Sequence, residues 1–393
     1  MCAKWVLSGF VCGLLFGSMA VSADGGQQPA VASLAPKIRL GRELFFDRGL
    51  SEPAGQSCAS CHEAKAGHTD GSARRPTSKG VIPGRFGNRN SPTAAYAAFS
   101  PVFHFDDVEG LFVGGQFVDG RAATLQEQAK APFLNPLEMA NPDKAHVVDK
   151  VRVATYADLF RIVFGQQSLD DVDTAYEHIA DAIAAFEATR TFNRFSSKYD
   201  AYLAGKAELT DAEARGLALF EDETKGNCAA CHPSQPAEDG TPPLFTDFTY
   251  DNLGVPKNPK NPFYKLPSAL NPDGRKFVDK GLGAIVGIEE EMGKFKVPTL
   301  RNIAITGPFM HNGYFETLEG VVRFYNDRDV QARCQRVWVT EKQALEQGCW
   351  PGPEVAENVN VDELGDLGLT DQEISDIVAF LGTLTDGYRP DAP

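Results

Sequence analysis

Thioethers and indoles are scarce in this chain, with five methionines and three tryptophans in 393 residues. Once an N-terminal leader is set aside, only Met139, Met292 and Met310 remain, so any thioether-ligated metal has few candidates. Positive charge is also short: 38 Lys and Arg stand against 53 Asp and Glu, a formal net charge of −15. A surface of that sign argues against nucleic acid or anionic membrane as partners and suits a soluble exported protein. No long apolar run follows the first two dozen residues, which excludes a later helical membrane span. Runs of alternating polar and apolar residues are scarce too, which excludes an all-β fold.

What is present begins with the leader. Lys4 precedes an apolar stretch from Trp5 to Val21, followed by the small-residue site Val21-Ser22-Ala23. This pattern predicts a signal peptide over 1–23, cleaved after Ala23, and hence export. A retained anchor would need a longer stretch than this one, which Gly13 and Gly17 interrupt. About 370 residues then remain, more than one hydrophobic core comfortably serves, so two domains are expected. Cys2 and Cys12 leave with the leader, and six cysteines stay: two C-x-x-C pairs, Cys58/Cys61 and Cys228/Cys231, plus Cys334 and Cys349. In an oxidising compartment the last two are expected to form a disulfide around Trp338.

The two halves echo each other. Gly41-Arg42-Glu43-Leu44-Phe45 precedes the first cysteine pair, and Gly216-Leu217-Ala218-Leu219-Phe220 precedes the second. Each reads as a helix leading into a cysteine-bearing turn. Ala175, Ile179, Ile183 and Phe186 predict a helix near 172–190, and Ile374, Ile377, Val378 and Leu381 another near 371–384. Thr370-x-x-Glu373 and Thr210-x-x-Glu213 are capping boxes that open helices. Long Pro/Gly-rich stretches, notably 76–92 and 232–273, need something to hold them, and a large buried cofactor would do so. The linker is expected near 193–208, which divides the mature chain into 24–200 and 201–393.

Cys58-Ala59-Ser60-Cys61-His62 and Cys228-Ala229-Ala230-Cys231-His232 both carry the C-x-x-C-H pattern of covalent c-type haem attachment. In that chemistry the thiols add to the haem vinyl groups, and His62 or His232 becomes the axial ligand of the iron. A single such motif could be a redox dithiol or half a zinc site. Two, far apart in an exported chain, do not suit a four-ligand tetrahedral site. His68, His104, His146 and His178 read as structural residues, and His311 stands apart because of the motif around it.

The chain resembles the bacterial di-haem cytochrome c peroxidase and MauG family. Phe117–Ala122, Asn135–Met139, Asn252–Pro256, Lys296–Asn302 and Pro308–Gly313 follow that family's motifs in order, over about residues 35–388. The resemblance implies a mainly α protein of two cytochrome c-like helical domains with long loops, each holding one haem c. It implies a peroxide-reactive haem in the N-terminal domain, an electron-transfer haem in the C-terminal domain, and a calcium ion at Asn90, Thr306 and Pro308. Tyr325 occupies the place of the second haem's other ligand, where peroxidases have Met and MauG has Tyr; Met292 is the alternative thioether. Glu138 matches the distal acid and Gln128 its companion. Val81 stands where some peroxidases carry a blocking His. Val118 replaces a Trp common between the haems, and Gly226 replaces a surface Trp used by MauG. The implied activity is periplasmic reduction of hydrogen peroxide with electrons from a small cytochrome c or copper protein. The alternatives are MauG-like oxidation of a partner protein and plain electron transfer without catalysis.

Overall fold

The computed structural model describes residues 30–72 and 75–390, so the expected leader 1–23 lies outside the described residues. Helices dominate. The first half carries α1 (Ala30–Phe46), α2 (Leu125–Leu134), α3 (Lys144–Arg152), α4 (Ala157–Phe164) and α5 (Val172–Glu187). The second carries α6 (Lys198–Leu203), α7 (Asp211–Glu221), α8 (Leu282–Val286), α9 (Leu318–Asp327), α10 (Glu341–Gln347) and α11 (Asp371–Gly382). Both capping boxes form: Thr210 accepts from the Glu213 N–H and Thr370 from the Glu373 N–H, and each Glu side chain answers its cap's N–H. These bonds satisfy amide groups that a helix start would otherwise leave open. No described helix is long and apolar enough to cross a membrane.

The echo between the halves is a packing repeat. α1 crosses α5 and α7 crosses α11, each at the glycine that the two stretches share. A Cβ on Gly41 would lie 1.9 Å from the Ala182 carbonyl oxygen and 2.9 Å from Phe186 Cβ. A Cβ on Gly216 would lie 1.9 Å from the Asp376 oxygen and 2.9 Å from Phe380 Cβ. Backbone meets backbone at both crossings, and only glycine permits it. The partner helix supplies its Phe next to the contact, so each half repeats one helix pair beneath one cysteine turn.

Buried apolar side chains gather in clusters that respect this division. One runs from Leu40 to Phe192; a second joins Tyr199, Phe220, Phe245 and Phe380; a third joins Phe315, Phe324 and Trp350. The stretch expected as a linker over 193–208 is not featureless: it carries α6, opened by a Ser197–Asp200 capping box. Its Tyr199 packs into the second cluster, because Asp200 forms a two-pronged pair with the fully buried Arg301 guanidinium (2.8 and 2.9 Å).

Strands are short, as the scarcity of alternation predicts. β1 (His104–Asp106) pairs antiparallel with β2 (Leu111–Val113), and β3 (Tyr250–Asp251) with β4 (Phe295–Lys296). β5 (Ala332–Arg333) pairs parallel with β6 (Cys349–Trp350), beside the Cys334–Cys349 disulfide that the sequence predicts. Contacts between the halves are polar and specific. Arg89 pairs with Asp119 and, 2.7 Å away, with Asp279. Backbone bonds run from Lys296 N to Val118 O (2.8 Å) and from Asn90 N to His311 O (2.7 Å).

Candidate functional site

Each cysteine motif sits on a single 3-10 turn, Cys58–Ser60 or Cys228–Ala230, directly after the helix crossing of its half. The turn brings the histidine back, with His62 N donating to Cys58 O (3.0 Å) and His232 N to Cys228 O (2.9 Å). His62 Nδ1 lies 3.0 Å from His68 O, and His232 Nδ1 lies 2.7 Å from Phe245 O. A carbonyl only accepts, so Nδ1 carries the proton and Nε2 is left as the metal-binding nitrogen. Burial keeps both rings neutral, lowering His62 and pushing His232 down to about 4. All four motif cysteines are free of disulfide. Among the described residues no three His, Cys, Asp or Glu side chains converge as a metal cluster.

The second motif opens on a cavity of about 300 Å³ whose wall includes Cys228, Cys231, His232 and Tyr325, with Phe220, Leu300 and Leu381 as apolar lining. Two thiols, an imidazole nitrogen and a phenol facing one largely apolar space fit a covalently tethered haem. Burial, then the neighbouring Cys228 and Cys231, holds the Tyr325 phenol well above its ordinary range. Met292 is absent from the cavity wall, whereas Met310 lies on it.

Around the first motif the chain leaves polar atoms without partners: Gln56 Oε1, Thr77 Oγ1, Ser78 Oγ and Glu187 Oε2 are buried and unbonded. Orphans of this kind in a folded interior mark a group still to be completed, and a haem edge fits. The 76–81 stretch lies across the motif, with Gln56 Nε2 donating to Lys79 O (2.8 Å) and contacting Cys61 Sγ (3.4 Å). Val81 N donates to Glu138 O (2.9 Å), which places the distal loop and the acid side by side. Glu138 is half-buried, and burial raises its pKa against the opposing pulls of Arg121 and the Asn135 amide. Asn135 Nδ2 holds Oε1 at 2.7 Å and leaves Oε2 open. Gln128 sits on α2, and among the described residues the side chain that hydrogen-bonds the Glu138 carboxyl is Asn135.

Asn90, Thr306 and Pro308 line the cavity of the second site, and Asn90 Nδ2 lies 2.5 Å from Pro308 O. An amide side chain, a hydroxyl and a backbone carbonyl are hard oxygen donors of the type calcium uses. His311 stacks on Phe295 (3.7 Å) on the same wall, with Nε2 unbonded and 3.8 Å from Glu354. Val118 also lines this cavity, and Phe117 beside it is covered by the Arg121 guanidinium at 3.5 Å. At Gly226 even a Cβ would meet Leu219 O at 2.2 Å, so the backbone there leaves no room for a Trp.

Glu187 is the residue that sequence reasoning passed over. It is a buried carboxyl beside Cys58, pushed up to about 8 by burial. The signal was available: Glu187 follows Ile183 by four residues and falls on the apolar stripe of α5, where an acid is out of place.

The di-haem cytochrome c peroxidase family model matches residues 35–208. The methylamine utilization protein MauG of Paracoccus denitrificans is 41% identical, covering 92% of this chain and 91% of that protein. The cytochrome c551 peroxidase of Nitrosomonas europaea is 30% identical, covering 96% and 90%. The crystal structure of the diheme peroxidase BthA from Burkholderia thailandensis superposes with a TM-score of 0.75 at 33% identity, covering 91% of this chain and 87% of that one. With both haem-attachment motifs folded alike and relatives matched over nearly their whole length, this chain belongs to the di-haem cytochrome c peroxidase and MauG family of oxidoreductases.

Proposed function

We propose that the protein is an exported, periplasmic peroxidase that reduces hydrogen peroxide with electrons from an external protein donor. The observation that carries this reading is the half-buried Glu138 carboxyl beside the first cysteine motif, with Val81 rather than a histidine next to it. Residues 24–200 and 201–393 form one haem-binding domain each, and calcium sits between them at Asn90, Thr306 and Pro308. Bound at the two motifs, haem c supplies a peroxide-reactive iron at the first site and one-electron transfer at the second. His62 and His232 would hold the irons through Nε2, and Tyr325, which lines the same cavity as His232, would supply the second haem's other ligand.

The chain's own work at the first site is proton transfer. Asn135 fixes Glu138 Oε1, so Oε2 takes a proton from one peroxide oxygen and returns it to the other, which then leaves as water. Burial keeps the carboxyl able to hold that proton. Two electrons and two further protons complete the conversion of one peroxide to two waters. A second reading, oxidation of residues on a partner protein, is favoured by Tyr325, because a phenolate ligand disfavours reduced iron.

The test is the ferric protein's visible and electron-paramagnetic-resonance spectra, taken before and after one equivalent of peroxide. One high-spin and one low-spin haem, reacting without prior reduction, is the expected outcome. Glu138→Gln should keep those resting spectra and slow the peroxide reaction by about 10²- to 10⁴-fold. Two low-spin haems that stay inert until reduced would overturn the open-site reading.

A further inference from the structure

Charge in this acidic chain is segregated. Residues 256–280 carry six basic side chains against Asp273 and Asp279, while the whole chain stands at −15. Asp279 is committed to Arg89. Among the described residues Lys265, Arg275, Lys276 and Lys280 have no carboxylate within ion-pair distance, and neither has Arg336 across the way. Lys257, Arg275, Arg336, Val337 and Trp338 line one shallow surface cleft.

Three features make this cleft a built surface. The Cys334–Cys349 disulfide closes the loop that carries Arg336, Val337 and Trp338, so the wall is held in place. Arg275 lies 5.6 Å over the Trp338 ring, and Tyr264 meets that ring edge-on at 5.2 Å. Trp338 and Val337 are nonetheless 37% and 57% exposed. An exposed indole and valine with unpaired guanidinium groups around them is the composition of a protein-binding hot spot. The floor is tied to the redox cavity: Lys257 Nζ lies 3.8 Å from Glu354, which lines the second haem site.

We propose that this cleft docks an acidic redox protein, whose carboxylates pair with Arg275 and Arg336 around an apolar contact on Trp338. The proposal rests on the peroxidase reading and names its donor's chemistry. Each docked donor gives up one electron, and two such visits supply the electrons for one peroxide. The chain's net charge of −15 repels an acidic partner over most approaches, and the unpaired cations of this cleft offer it a complementary, orienting contact. Nucleic acid and anionic membrane are repelled by the same surrounding charge over any larger contact.

The experiment uses the haem-loaded protein with three reductants: a small acidic blue-copper protein, a small basic cytochrome c, and neutral hydroquinone. Isothermal titration with the oxidised copper protein reads docking without turnover. The double variant Arg275→Glu/Arg336→Glu should abolish that binding, raise KM for the copper protein at least about tenfold, and leave hydroquinone turnover unchanged. Raising salt from about 20 to about 200 mM should raise the wild-type KM and leave the variant's nearly flat. The milder Arg275→Gln/Arg336→Gln variant should fall between the two. Absence of wild-type binding to the copper protein, equal binding by wild type and variant, or preference for the basic cytochrome c would overturn the proposal. Intact binding with no turnover of any reductant would support the docking surface and sink the peroxidase reading.

Discussion

Single side chains carry the chemistry here, and burial decides what each can do. Glu138 and Glu187 are both carboxyls whose charge is penalised by the interior, but Glu138 has Asn135 and Arg121 beside it, whereas Glu187 Oε2 is left without a hydrogen bond. Glu187 therefore stays protonated up to about pH 8, against an ordinary value of 4.5. The folded state thus binds this proton more tightly than the unfolded chain. Its contribution to stability is fully present below about pH 4.5 and is lost as pH rises through 8, at about 1.4 kcal/mol per pH unit. Thermal melts at pH 5 and pH 8 should show a smaller drop for Glu187→Gln than for the parent, since the amide has no charge to bury. Equal drops would mean that a partner neutralises this carboxyl. C-x-x-C-H made both haem sites legible in the sequence, as the motif's spacing acts locally within one turn. Glu187 was legible only as a misplaced polar letter on an apolar stripe, and its nearness to Cys58 follows from α1 and α5 crossing.

Among the elements, the paired crossings of α1 with α5 and α7 with α11 set where the cysteine turns lie. The sequence predicts helices near 172–190 and 371–384, and they run from Val172 to Glu187 and from Asp371 to Gly382. Periodicity identifies the buried stripe, but the ends are decided by caps and by Ala188 and Thr383 leaving the helix. The meaning of the Gly-x-x-x-Phe echo was not legible, because a glycine looks the same whether it faces solvent or another backbone. Gly41→Ala or Gly216→Ala forces a Cβ into a carbonyl oxygen and should cost about 3 kcal/mol, the upper range for overpacking. Chemical denaturation of each variant measures this. A loss below about 0.5 kcal/mol would show that the helices can slide apart without penalty. α6 is the converse case: six residues opened by a capping box were read as part of a linker, since so short a helix is marginal without tertiary support.

On the scale of the whole molecule, buried ion pairs join the halves. Arg89 reaches Asp119 in its own half and Asp279 in the other, with side chains 14%, 3% and 8% exposed. Although burial opposes it, Arg89 holds the Asp279 carboxyl below its ordinary range. Arg89→Ala would leave the buried Asp279 carboxylate without its cation, while Asp119 keeps Arg121 at 2.8 Å, at a cost of about 3–5 kcal/mol. Calorimetry should show that loss, and a melt within about 1 °C of the parent would mean that solvent reaches these groups. None of these pairings was foreseeable, because their members stand up to 190 residues apart.

By itself the sequence determined the helical class, the two C-x-x-C-H motifs, the Cys334–Cys349 pairing and the family motifs around Glu138, His311 and Tyr325. These are written in local spacing and in residue types whose chemistry is specific. Only the tertiary structure decided that Tyr325 and Met310, rather than Met292, share a wall with His232, and that Asn135 holds Glu138. It also decided that Lys257 and Arg275 meet the disulfide loop in one cleft. Such choices depend on which long-range packing excludes water from which side chain, and that is settled by the fold as a whole.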